Sequence, residues 1–298
     1  MRILVPDVMT PAALQIMARA HEVVYEPMLA TDLASLLRAA PAVHGMIVRN
    51  RIQVRGALLD ALSQCRVLGR LGVGLDNIDL DGCKERGIEV IPATGANALA
   101  VAEWAVCAAM LLLRPWYAAS AGVVAGQWPR APLTHGREIA GKTLGIVGYG
   151  SVGRETGRLA AALGMNIMAC DLHARAQALS SFDEVLAQSD VVTLHMPLTE
   201  VTRNLFDAPV LAKMKPGAML VNAARGGIVD ERALAQALHA GHLGGAAIDV
   251  FAQEPLSAGS ALEGVPNLLL SPHIAGVTEE SETRVCELIA RRVVESFC

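Results

Sequence analysis

Apolar positions along the chain recur with two alternating periods. Short β-branched runs at 3–5, 23–25, 45–48, 67–68 and 88–91 are separated by stretches with helical spacing near 11–19, 32–39, 57–62 and 80–86. Strands that each feed a helix predict a parallel sheet with crossover helices, ending near Pro92. A strongly apolar helix follows at 97–113, about 25 Å long at 1.5 Å per residue and so able to cross from one lobe to another.

The stretch 114–137 contains Pro115, Pro129, Pro132 and several glycines, which predicts an irregular connection. From Thr143 strand and helix alternate again as far as 268–270. The last helical pattern, 279–297, has no strand after it and is expected to return to the first lobe. The reading is α/β: two parallel-sheet domains, Rossmann-like or flavodoxin-like, with a cleft between them. The substrate-binding domain is discontinuous, 1–96 with 277–298, and the nucleotide domain, 97–276, is inserted in it.

Composition adds exclusions. A chain of 298 residues is longer than one core usually organises, and 53% hydrophobic against 18% charged residues excludes extended disorder. The 25 basic and 29 acidic residues are mixed, with no basic block, so nucleic acid is not an expected partner. Six cysteines, Cys65, Cys83, Cys107, Cys170, Cys286 and Cys298, lie far apart without a C-x-x-C pair. That suggests neither zinc nor a disulfide framework, and a reducing cytoplasm is expected. No signal peptide is read at the start, and no apolar run reaches the roughly 20 residues a membrane span needs.

A strand at 142–147 runs directly into Gly148, Gly150 and Gly153, spaced G-x-G-x-x-G, and a helical run follows at 154–163. The first glycine permits the tight turn, the second lets backbone approach a pyrophosphate, and the third allows close helix packing. After the strand 166–170 stands Asp171, where a carboxylate accepts from the adenosine ribose hydroxyls. This favours NAD over NADP, although His173 and Arg175 nearby are of a type that can answer a 2′-phosphate.

Downstream, three predicted strands are each followed by chemically loaded residues: Asn222 to Asp230 with Arg225, Asp249 to Pro255 with Glu254, and Ser271 to Gly276 with His273. Hydride transfer to a 2-keto acid needs a cation for the carboxylate, which the guanidinium fork of Arg225 supplies. It also needs a proton donor for the developing alkoxide, which suits His273, with Glu254 to orient the ring. Taken singly each has a structural alternative: a surface ion pair for Arg225, a turn cap for Glu254, a satisfied core histidine for His273. Their occurrence together and in order favours the site. His195, before Pro197, reads as structural or at the cofactor's edge, and His44 and His135 as structural.

These segments, with the glycine loop, resemble the D-isomer-specific 2-hydroxyacid dehydrogenase family. The resemblance extends to Gly69 to Asp79, to Ala102-Glu103 and to Gly126-Gln-Trp128. It implies that Arg225 anchors the substrate, His273 is the acid/base and Glu254 its partner. It implies further that the backbone of Gly72, Val73 and Gly74 binds the substrate carboxylate, with Val73 also near the cofactor. Around NAD it places Ser151 and Val152 at the pyrophosphate and Thr202 near the ribose. Ala223 and Ala224 then lie beside the nicotinamide, Asp249 on its carboxamide, and Arg225, His273 and Gly276 at its edge. It also implies a homodimer built by the 97–113 helix and the irregular segment after it, with Trp104, Trp116 and Trp128 as packing or interface residues.

The loop Arg49-Asn50-Arg51 after a predicted strand is the candidate reader of the substrate's tail. Family members more often carry a small hydroxyl residue where Asn50 stands and a threonine-like residue near Ile52. Two arginines point to a second anionic group, phosphate, sulfonate or carboxylate, although either arginine alone is equally a solvated surface charge. Among family members the loop resembles that of the sulfolactate and phosphoglycerate dehydrogenases. The alternatives are a glyoxylate or hydroxypyruvate reductase and, from another class, an NAD(H)-sensing corepressor-like binding protein. Formate dehydrogenase relatives carry glutamine where Glu254 stands, and no appended regulatory domain is expected after the last helix. No metal site is expected.

Overall fold

A computed structural model of the chain describes residues 1–171 and 179–297; His173, Arg175 and Cys298 lie outside the described residues. Contacts divide the chain into two compact units, the first built from Met1–Asn97 with the segment that begins at Val277, the second from Ala98–Gly276.

The first unit holds five strands: β1 (Arg2–Val5), β2 (Glu22–Tyr25), β3 (Gly45–Val48), β4 (Val67–Arg70) and β5 (Glu89–Pro92). They are all parallel, in the order β2-β1-β3-β4-β5. This is the flavodoxin-like arrangement, with its switch between β1 and β3. Helices close both faces, so the central β3 is buried along its whole length, and its four residues read Gly-Met-Ile-Val without polar alternation. The helix Glu279–Glu295 packs on β4 and on the helix Pro11–Ala18. It buries Val285, Cys286, Ile289, Ala290 and Val293, an i, i+3/i+4 stripe that completes this unit's core from the far end of the sequence.

The second unit holds six parallel strands, β6 (Thr143–Val147), β7 (Asn166–Cys170), β8 (Val191–Leu194), β9 (Met219–Asn222), β10 (Gly245–Ile248) and β11 (Leu268–Leu270), in the order β11-β10-β9-β8-β6-β7. The chain reverses direction across the sheet at β6, between β7 and β8, which is where an open α/β sheet offers its ligand crevice. The helix Ala98–Leu113 belongs to this unit and packs on the helix Ser151–Ala162 and on β9. Its alanine-rich sequence lets the helices approach closely, and ten of its sixteen residues are buried. The irregular stretch after it contains only short helical turns, at Trp116–Ala119, Ser120–Val124 and Ala131–Leu133. No single helix among the described residues is long and apolar enough to cross a membrane.

Candidate active site

In the second unit the chemically loaded residues all leave the carboxyl ends of parallel strands. The glycine loop follows β6. Gly148 has φ +96°, and a Cβ there would lie 2.5 Å from the carbonyl oxygen of His195, so this crossing of the β6 and β8 loops requires glycine. A Cβ on Gly153 would lie 2.2 Å from the Gly148 carbonyl, which shows how closely the helix packs against the loop. At Gly150 the situation is opposite: a Cβ would meet nothing within 4 Å. Gly150 caps the twelve-residue helix Ser151–Ala162 with no side chain over the first-turn N–H groups. Open space in front of unsatisfied N–H donors is the setting a pyrophosphate requires, so the residues present fit a dinucleotide. Ser151 and Val152 are half-buried in that first turn. Asp171, at the end of β7, accepts the Tyr149 N–H at 2.9 Å and thereby ties the glycine loop to the carboxylate expected at the ribose.

The second cluster is built by the loops after β9, β10 and β11. Buried Asn222 folds the first: its Oδ1 accepts the Ala224 N–H at 3.0 Å and its Nδ2 donates to the Arg225 carbonyl at 3.1 Å. Ala223 is half-buried and Ala224 buried. The Arg225 guanidinium donates to the Ala224 carbonyl at 2.6 Å. Gly226 then runs against the next loop, where a Cβ would lie 1.7 Å from the Phe251 carbonyl oxygen. That contact brings the Arg225 turn beside the turn carrying Glu254. Glu254 Oε1 accepts the Phe251 N–H at 3.0 Å, and its Oε2 faces His273 Nδ1 at 2.7 Å. Because the carboxylate only accepts, Nδ1 carries the proton, and Nε2 is the nitrogen left to exchange one. The pair is accessible, with 43% of the His273 side chain and 33% of that of Glu254 exposed.

His273 has φ +56°, a conformation that costs a non-glycine residue about 1–3 kcal/mol unless its surroundings impose it. Asp249 imposes it. The His273 N–H donates to the Asp249 carbonyl at 2.8 Å, while the Asp249 carboxylate accepts from Ser271 Oγ at 2.5 Å, Ile274 N–H at 2.9 Å and Ala275 N–H at 2.8 Å. Asp249 is buried, with both oxygens engaged, and it shapes the histidine loop. Gly276, half-buried, ends that loop. Thr202 lies in the loop after β8. Fully buried, it accepts the Thr199 N–H at 2.7 Å and donates its hydroxyl to the Pro197 carbonyl at 2.7 Å, closing that loop. Burial pushes the His195 imidazole down to about 4, and its Nε2 lies 3.0 Å from Thr193 Oγ1, consistent with a neutral ring at the crevice edge.

In the first unit the candidate residues leave β3 and β4. Gly72 has φ +147°, with the Arg70 guanidinium folded against it; Val73 is 37% exposed and Gly74 half-buried. The arginine loop divides its labour. Arg49 is held as a fork by both carboxylate oxygens of Glu282 and by the Val8 carbonyl at 3.0 Å, which anchors the start of the loop. Sequence reasoning missed this pairing because the partners stand 233 positions apart. Asn50 and Arg51 are exposed, and Arg51 has no hydrogen-bond or ion-pair partner among the described residues. His44 is structural, accepting the Arg2 N–H at 3.1 Å. No group of three His, Cys, Asp or Glu among the described residues is arranged to hold a metal ion.

A glycine loop at a switch point, an open helix N-terminus and a carboxylate-backed histidine beside an arginine turn define a dinucleotide-dependent dehydrogenase. Residues 106–275 match the model of the D-isomer specific 2-hydroxyacid dehydrogenase NAD-binding domain. Over 294 residues the chain is 46% identical to the (S)-sulfolactate dehydrogenase of Chromohalobacter salexigens, covering 95% of this chain and 94% of that one. It is 36% identical to the D-3-phosphoglycerate dehydrogenase of Archaeoglobus fulgidus, of which it spans 57%. Its fold superposes on the TT0316 protein from Thermus thermophilus with a TM-score of 0.90 at 32% identity, covering all of this chain and 97% of that one. The chain therefore belongs to the D-isomer specific 2-hydroxyacid dehydrogenase family, with NAD as its cofactor.

Proposed function

We propose that the protein moves hydride reversibly between NAD and C2 of a small 2-hydroxy acid that carries a second anionic group, with a sulfolactate-like acid as the first candidate. The observation that carries the tail assignment is Arg51, an exposed guanidinium on the substrate loop with no partner among the described residues, while its neighbour Arg49 is consumed by Glu282. The similarity to a sulfolactate dehydrogenase along nearly its whole length supports the same class of substrate.

When bound, NAD accepts or returns the hydride. The protein's own residues handle charge and proton. Arg225 holds the C1 carboxylate through its planar fork, while the N–H groups of the turn at Gly72, Val73 and Gly74 offer further donors to a carboxylate. In oxidation, His273 Nε2 takes the hydroxyl proton as the C2 hydride departs, and the new imidazolium is stabilised by Glu254 at Nδ1. In reduction the same proton returns to the alkoxide oxygen. Arg51 pairs with the sulfonate, phosphate or carboxylate on C3.

Initial rates of NADH oxidation with glyoxylate, hydroxypyruvate, pyruvate, oxaloacetate and sulfopyruvate test the reading. Sulfopyruvate is expected to give the highest kcat/KM. Arg51→Ala is expected to raise KM for sulfopyruvate roughly 10- to 100-fold more than for glyoxylate, the scale of one hydrogen bond between charged groups. Equal changes on both substrates would remove Arg51 from the tail site.

A homodimer is part of the same proposal. Trp116, Val124, Trp128 and Met110, on the helix Ala98–Leu113 and the segment after it, are 64%, 90%, 78% and 44% exposed, an apolar surface suited to a second copy. Sedimentation at micromolar concentration is expected to show twice the chain mass of 31.3 kDa, and a monomer would refute it. The five described cysteines are free thiols, which supports a reducing compartment such as the cytoplasm.

A further inference from the structure

We propose that Asn77 is a specificity-determining positioning residue, which fixes the distance between the loop that takes the substrate's carboxylate and the loop that reads its tail. The proposal rests on the reading of Arg51 given above, and both loops belong to the first unit.

Asn77 is 5% exposed and stands three residues after Gly74, at the end of the carboxylate loop. Its side-chain Nδ2 donates two hydrogen bonds, both into the arginine loop: to the Arg49 carbonyl at 3.0 Å and to the Ile52 carbonyl at 2.7 Å. These two carbonyls bracket Asn50 and Arg51, so one carboxamide closes the turn from which Arg51 projects. The backbone continues the splice. The Val54 N–H donates to the Asn77 carbonyl at 2.8 Å, the Asp79 N–H donates to the Val54 carbonyl at 3.0 Å, and Val54 and Ile78 form an isolated parallel bridge. A further tie comes from the Arg55 guanidinium to the Asp76 carbonyl at 2.5 Å.

The remaining side of the turn is held by Arg49 itself. Its guanidinium reaches Glu282 and the Val8 carbonyl, so the arginine loop is fixed at its start by a charge pair and along its length by Asn77. A residue that only filled space would not need two donors aimed at carbonyls on either side of the recognition arginine. Asparagine does this because its amide supplies both protons without charge, whereas aspartate would set a carboxylate against two carbonyl oxygens.

The consequence is a fixed reach. A substrate whose anionic groups match the spacing of the carboxylate turn and Arg51 gains from both, and a substrate without a tail does not use the second. Loosening the splice therefore alters discrimination more than turnover.

The test measures KM and kcat for sulfopyruvate and for glyoxylate in the full-length protein, with Asn77→Ala, Asn77→Asp, Arg55→Gln and Arg51→Ala compared alongside the parent. Asn77→Ala and Asn77→Asp are expected to raise the KM ratio of sulfopyruvate to glyoxylate about tenfold, and Arg55→Gln about threefold, because misplaced recognition groups lose binding before chemistry. A purely structural role for Asn77 would lower Tm and kcat on both substrates together and leave the ratio at its parent value, which would overturn the proposal. Arg55→Gln keeps the question decidable should the Asn77 variants not fold, since an unchanged ratio in it also counts against the splice. If Arg51→Ala leaves the ratio unchanged, the tail assignment itself fails; if it raises the ratio while the Asn77 and Arg55 variants do not, only the role of Asn77 fails.

Discussion

Replacing His273 with glutamine is expected to lower kcat by about two to four orders of magnitude while NADH still binds, because positioned proton transfer contributes on that scale. Glutamine keeps a polar side chain near Glu254 but has no site that accepts the hydroxyl proton and returns it. Glu254→Gln is expected to cost less, about 10- to 100-fold. The 2.7 Å contact to Nδ1 persists as a neutral hydrogen bond, roughly half as strong as one to a carboxylate. Steady-state rates with sulfopyruvate, together with tryptophan quenching by NADH as a check on the folded site, measure both. A His273→Gln variant retaining more than about a tenth of parental kcat would remove this residue from proton transfer.

Gly226→Ala is expected to be the most damaging glycine-to-alanine replacement among the described residues. A Cβ there would lie 1.7 Å from the Phe251 carbonyl oxygen and 2.1 Å from its carbon, and both are backbone atoms of the neighbouring loop. No rotamer change relieves such a contact, so the turns after β9 and β10 must separate. Those are the turns that carry Arg225 and Glu254. A shift of about 1 Å in such groups costs around a hundredfold in rate, and forced overpacking costs about 1–3 kcal/mol of stability. Gly150→Ala provides the contrast: with nothing within 4 Å, its methyl should leave Tm unchanged and raise the Kd for NADH by entering the space before the helix. Thermal melts and NADH titrations of the two variants distinguish them. A Gly226→Ala protein with parental Tm and kcat would contradict the packing described for these loops.

Much of the fold was legible because its determinants are local. Each strand of the two sheets and the helices between them are encoded by short runs whose period is set within about ten residues, and the glycine loop is recognisable because strand, turn and helix are contiguous. The order of Arg225, Glu254 and His273 on successive strand ends was legible for the same reason, since parallel strands place their following loops on one edge.

Where local pattern and tertiary context diverged, the divergence concerned which atoms were already committed. Arg49 and Arg51 are indistinguishable as sequence, and only the returning helix, bringing Glu282 to the first of them, gave the two different surroundings. The internal hydrogen bonds of Thr202 and Asp249, which close the loops in which they lie, were not legible in the sequence either. Asn77 and Asn222 went unassigned because a buried carboxamide has no period and no charge to mark it. The sequence by itself thus determined the class of fold, the family and the residue types of the candidate site, because these follow from contiguous patterns. The tertiary structure alone decided which donors and acceptors remain for a substrate, because hydrogen-bond capacity is finite and its partners come from segments that are distant along the chain.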